Sequence, residues 1–148
     1  MKNILFITLL SFIGITNSYS QTEKDKKSIT RTCLDYMEGF YEGDTLKIKN
    51  SIIPTLHKFG FWKDKNSGEY KEEGFMTYSQ AITYSKNVLK SKRFVSKKAP
   101  KKVEILDVSN HIASVKITAW WGIDYMLLSR KGEKWVIRQV LWEGPLQR

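Results

Sequence analysis

Three side chains stand where acid or base chemistry could arise: Asp124, His57 and His111. Asp124 lies between Ile123 and Tyr125 in an otherwise apolar run, directly after Trp120-Trp121-Gly122. Burial among those aromatics would disfavour the charged carboxylate and suit it to accept a proton near neutrality, as a general base must. The plainer reading is the one the sequence favours. It has Asp124 facing solvent beside Arg130 or Arg138, or accepting hydrogen bonds where the strand bends, because structural carboxylates also sit in perturbing environments. His57 brought beside Asp124 would make a base with its orienting acid, whereas His111 follows a turn at Asn110 and faces water. Two isolated histidines form no metal signature. The chain has no glycine-rich phosphate loop and no serine nucleophile elbow, and no cofactor is implied. The single cysteine, Cys33, excludes an internal disulfide and a cysteine-based zinc site. It shares a helical face with Ile29, Met37 and Phe40, which makes it a buried apolar group rather than a reactive thiol.

The elements that must position these residues divide into a helical half and a strand half. Ile29, Cys33, Tyr36, Met37, Phe40 and Tyr41 recur at helical spacing from Ser28 until Gly43 ends the run. Asp44 is an N-cap for a shorter helix carrying Leu46, Ile48, Ile52 and Ile53, with Pro54 near its end. Leu56 to Trp62 and Tyr70 to Met76 flank a turn composition, Asp64-Lys65-Asn66-Ser67-Gly68, and read as a hairpin. Thr77 and Gln80 form a capping box for a third helix with Ala81, Tyr84, Val88 and Leu89 on its apolar face. After Lys102 the period changes to two. Val103 to Val108, Ile112 to Trp121, Ile123 to Ser129 and Lys134 to Trp142 read as an antiparallel meander. Helices followed by a meander make an α+β domain, with the helices on one face of a bent sheet.

The N-terminus reads as a leader. Lys2 precedes an apolar run from Ile4 to Ile15, and Ser18 and Ser20 supply the small residues of a cleavage site before Gln21. The run is too short for a membrane span, which takes about 20 apolar residues. The expected organisation is a signal peptide over 1–20, a charged and frayed lead-in over 21–27 and one domain over 28–148. The protein is therefore expected to be exported, to a bacterial periplasm or the extracellular space. The formal net charge is +10, and loss of Lys2 leaves 24 basic against 15 acidic side chains. Lys90, Lys92, Arg93, Lys97 and Lys98 concentrate part of that excess. Contact with an anionic surface is one reading of this stretch. A solvated connection is the favoured one, and export argues against a nucleic-acid partner.

Three stretches carry a family resemblance: Tyr36-Met37-Glu38-Gly39 with Gly43-Asp44; Pro54 through Lys58 with Phe61; and Asp124-Tyr125-Met126-Leu127-Leu128 followed by Gly132, Trp135 and Ile137. In element order and in these stretches the chain resembles the family described as putative lumazine-binding, within the nuclear transport factor 2-like superfamily of ketosteroid isomerase and SnoaL-like cyclases. Where that family has a histidine before the proline, this chain has Ile53, so no role for that histidine carries over.

The resemblance implies a cone-like fold in which three N-terminal helices cap a curved antiparallel sheet around a cavity. An apolar cavity with a few inward polar groups is the default binding site. Phe59, Trp62, Tyr84, Trp120, Tyr125 and Trp142 are the candidate ligand-binding rings, drawn from an aromatic supply that also includes Phe61, Trp121 and Trp135. Many of these rings must be buried simply for a small domain to fold. The leading expectation is an exported, non-catalytic domain that binds a small apolar or aromatic ligand, or a protein partner, with the open sheet face as a candidate homodimer surface. The rival expectation is a SnoaL-like isomerase, dehydratase or cyclase using Asp124 or His57, brought together across the cavity, as acid and base. A third is an envelope-associated structural module whose basic stretch touches anionic surfaces.

Overall fold

The computed structural model describes residues 13–146, with side chains described from Glu23 onward. Most of the expected leader, residues 1–12, lies outside the described residues. The elements are α1 (Ile13–Glu42), α2 (Thr45–Ser51), β1 (Ile52–Lys63), β2 (Tyr70–Glu73), α3 (Tyr78–Ser91), β3 (Lys102–Val108), β4 (Ile112–Ala119), β5 (Gly122–Lys131) and β6 (Lys134–Gly144).

Local chemistry sets most of the boundaries. The Asp44 carboxylate accepts hydrogen bonds from the Leu46 and Lys47 amides, and Gly43 adopts φ +72°, so α1 stops and α2 starts within two residues. Thr77 and Gln80 close both halves of the capping box at the start of α3. The second helix ends at Ser51, one residue before Ile52, and Ile53 and Pro54 belong to β1. On α3 the buried side chains are Ala81, Ile82, Ser85 and Val88, while Tyr84 and Leu89 are exposed. Ser85 is buried because its hydroxyl donates to the Gly39 carbonyl of α1 at 2.9 Å, and this bond draws the two helices together.

The six strands form one curved, unclosed sheet in the order β2-β1-β6-β5-β4-β3. Every pairing is antiparallel except β1 with β6, where the N-terminal hairpin joins the C-terminal meander in parallel. The helices cover the concave face. Ile29, Cys33, Met37 and Phe40 of α1 meet Val115, Ile117, Met126, Leu128, Ile137 and Val140 of the sheet in one core. Each large apolar side chain buried there contributes about 1.5–3 kcal/mol. Cys33 is fully buried in this core, and burial pushes its thiol up to about 12, helped by the Asp124 charge.

Residues 21–27 depart from the expected frayed lead-in, because they are part of α1. Asp25 explains why a segment without apolar residues is held down. Its carboxylate accepts hydrogen bonds from Arg130 and from the buried Trp135 indole, and is itself buried. Arg130 is thereby committed to Asp25, and Arg138 donates to the Ser129 hydroxyl at 2.6 Å. Neither arginine accompanies Asp124.

Candidate functional site

Between the concave face, α1 and α3 lies a cavity of about 590 Å³ that opens to solvent, a size in the range of small-molecule sites. Strand parity builds its floor. In β1, Lys58, Gly60 and Trp62 face inward and His57, Phe59 and Phe61 face outward, since successive side chains alternate. Gly60 stands opposite Trp142 of β6, and Trp142 stands opposite Asp124 of β5. A Cβ on Gly60 would come within 2.0 Å of the Trp142 carbonyl and 2.6 Å of its ring, so glycine lets that indole lie across β1. The β4–β5 hairpin has only Trp120 and Trp121 at its tip, closed by Gly122 at φ +150°, and it sets both indoles on the cavity wall.

Asp124 sits beneath this floor with no solvent exposure. Its Oδ1 accepts from the Trp121 indole at 2.6 Å, and its Oδ2 accepts from the Tyr36 hydroxyl at 3.1 Å. Lys58 Nζ stands 3.6 Å from the same Oδ2 and also lies over the Tyr36 and Trp142 rings, at 5.7 and 5.4 Å from their centroids. Burial pushes the Lys58 ammonium below its ordinary range, with the Asp124 charge acting in the opposite direction. Burial also holds the Tyr36 phenol well above its ordinary range, with Asp124 adding to the effect, so Tyr36 stays a donor. Asp124 therefore orients three cavity-lining residues, Tyr36, Lys58 and Trp121, without lining the cavity itself.

Of the residues singled out from sequence, Trp62, Tyr84, Trp120 and Trp142 come together on the cavity. Phe59 and Tyr125 do not. Both belong to the outward parity of their strands, where Leu141 stands between them in register. His57 is also outward and exposed, packed on Phe59 and Phe75, so the expected meeting of His57 with Asp124 across the cavity does not occur. The solvent-facing half of the plainer reading of Asp124 is overturned, while its other half named the right role, since Asp124 accepts hydrogen bonds from Tyr36 and Trp121 beside Lys58. His111 is exposed. Lys90, Lys92, Arg93, Lys97 and Lys98 are all exposed around the end of α3 and the connection to β3. Among the described residues, no cluster of three or more His, Cys, Asp or Glu side chains is placed to hold a metal ion. Lys58 is the ionisable group that sequence reasoning passed over. Its signal was its parity with Gly60 and Trp62 in β1.

Three helices packed on a curved, unclosed and mostly antiparallel sheet give the nuclear transport factor 2-like fold. The putative lumazine-binding family matches residues 24–143, and the chain belongs to that family. Solved structures agree on the fold. An NTF2-like protein of unknown function from Silicibacter pomeroyi is 13% identical, with a TM-score of 0.60 over 82% of this chain and 96% of its own. One from Shewanella baltica, also of unknown function, is 17% identical, with a TM-score of 0.57 over 79% and 90%. A protein described as a putative dehydratase of the NTF2-like family from Streptomyces avermitilis is 9% identical, with a TM-score of 0.56 over 84% and 99%. No curated protein matches the chain.

Proposed function

We infer that this protein is an exported, non-catalytic binding domain that takes one small aromatic ligand into the cavity. The observation that carries this reading is the cavity wall itself. Four indoles, from Trp62, Trp120, Trp121 and Trp142, surround an open space deep enough to reach Lys58. Indole faces stack on planar ligands at low cost in side-chain entropy. The family description makes lumazine the first compound to titrate. Quenching of tryptophan emission that saturates at one equivalent, and that weakens in Trp142→Ala, is the expected result. Emission unchanged by lumazine and by a panel of other planar heterocycles would reject the reading. Export is tested separately by the mass of the protein recovered from its host, which should begin at Gln21.

The outer face supports a homodimer. Phe59, Leu141 and Tyr125 form a row across three strands, and Leu127 extends it. Exposed apolar surface of this kind marks association sites. Sedimentation at twice the monomer mass, reverting to monomer in Tyr125→Lys, is expected; a wild-type monomer at micromolar concentration would refute it.

One observation favours the rival catalytic reading. Lys58 reaches the cavity with its ammonium pushed below the ordinary lysine range and Asp124 behind it, an arrangement suited to moving a proton on a bound ligand. In that case Lys58, backed by Asp124, is the acid or base in place of His57. Loss of turnover in Lys58→Met, with binding retained, would separate catalysis from binding.

A further inference from the structure

Lys58 is the one cation lining the cavity among the described residues, and its ammonium can offer hydrogen bonds to a ligand there. An ammonium has three N–H donors. Asp124 Oδ2, at 3.6 Å, can take at most one of them. The other two meet only the faces of Tyr36 and Trp142. The Lys58 side chain is 8% exposed, so bulk water reaches it poorly. A ligand acceptor that reaches Nζ would add a charge-assisted hydrogen bond at a place of low solvent exposure, where such bonds are strongest.

The charge balance narrows which acceptor fits. Lys58 and Asp124 already neutralise each other, and no second cation lines the cavity among the described residues, whereas Glu73 does. An anionic ligand would leave an excess negative charge in an apolar space, but a neutral carbonyl supplies an acceptor without one. The wall opposite the indoles is different in kind. Thr83 and Asn87 of α3 offer polar side chains near solvent, which suits the ligand's outer end.

We propose that the ligand is a planar aromatic molecule with a neutral carbonyl at its buried end, whose oxygen accepts from Lys58 Nζ while its rings lie along Trp142 and Trp62. This rests on the binding reading above and names the chemical class that the same site selects. Three probes of one shape test it at pH 7.5: 2-acetylnaphthalene, 2-naphthoate and 2-ethylnaphthalene, titrated into the purified protein by calorimetry or tryptophan quenching. The ketone is expected to bind about 10-fold or more tighter than the hydrocarbon, the gain of one hydrogen bond from a charged donor. The carboxylate is expected to bind more weakly than the ketone. The double variant Lys58→Met with Asp124→Asn removes both charges of the pair. It should bring the ketone down to the affinity that the same variant shows for the hydrocarbon, and retained hydrocarbon binding shows an intact cavity. Equal ketone and hydrocarbon affinities in the wild-type protein, or a ketone advantage that survives in the double variant, would overturn the proposal alone. So would a carboxylate that binds tighter than the ketone. Failure of all three probes to bind would overturn this proposal, and failure of lumazine and the other planar heterocycles as well would overturn the ligand-binding reading with it.

Discussion

Replacing Lys58 by Met tests whether the pair beneath the cavity is a single electrostatic unit. Methionine fills nearly the same volume, so packing against Tyr36 and Trp142 survives and the charge alone is removed. Asp124 is then left with no solvent exposure and no counter-ion, although the Trp121 and Tyr36 donors still hold it. Breaking a buried pair from one side costs about 3–5 kcal/mol. The two surviving hydrogen bonds place the expectation near the lower end, about 3 kcal/mol. Adding Asp124→Asn removes the stranded charge while keeping an acceptor for the Trp121 indole, and should return stability to within about 1 kcal/mol of wild type. Asp124→Asn alone behaves differently, because a buried lysine can shed its proton. Burial already sets folded Lys58 below the 10.5 of an ordinary lysine. The unfolded chain therefore binds the proton more readily, and the variant should gain stability as pH rises toward that value and lose it as pH falls. Urea unfolding followed by tryptophan emission measures all three variants, provided the slope m stays constant. A cost below about 1 kcal/mol for Lys58→Met, or a double variant no more stable than that single one, would show that Lys58 and Asp124 are not a coupled pair.

Other sites carry predictions of the same kind. Gly60→Ala puts a methyl group against the Trp142 carbonyl and ring, so it should cost about 1–3 kcal/mol in urea unfolding and weaken ligand binding through displaced Trp142. Asp25→Ala strands the Arg130 guanidinium and the buried Trp135 indole, a loss of about 1–3 kcal/mol, with the earliest hydrogen-exchange opening at the start of the described α1 side chains. Partial burial works to raise the Glu38 carboxyl, but the Lys47 and Arg31 hydrogen bonds outweigh it and bring it down to about 2 from 4.5. The stability it contributes is thus present above pH 4.5 and lost as pH falls to about 2. Because Arg31 is half exposed, Glu38→Gln should cost only about 1 kcal/mol at pH 7, with the difference from wild type vanishing over that acid window.

How far the sequence disclosed this protein depended on the range of the interactions involved. Features settled within four residues were readable. The Asp44 cap, the Thr77–Gln80 capping box and the two-residue period of β4 all needed only local spacing. What depended on distant partners was not. Asp25 is held by groups 105 and 110 residues away, so a charged lead-in looked frayed when it is anchored. The hydrophobic pattern of β1 reads inverted, since Phe59 and Phe61 point outward while Lys58 points inward. Only Asp124, on a strand separated from β1 by β6, makes that lysine tolerable inside. The parallel β1–β6 pairing that brings them within reach has no local signature either. The aromatic supply was visible from composition, but which rings faced the cavity required the parity of each strand.

The indole region of a proton–nitrogen correlation spectrum reports on ligand entry into the cavity, because the protein's five tryptophans divide cleanly. Four of them, Trp62, Trp120, Trp121 and Trp142, line the cavity, and Trp135 is buried against Asp25 and does not line it. Titration with lumazine or 2-acetylnaphthalene is predicted to shift the four cavity indoles together along one saturating curve and to leave Trp135 in place. Five indoles unmoved by every planar ligand tried, or shifts confined to Trp135, would contradict the account.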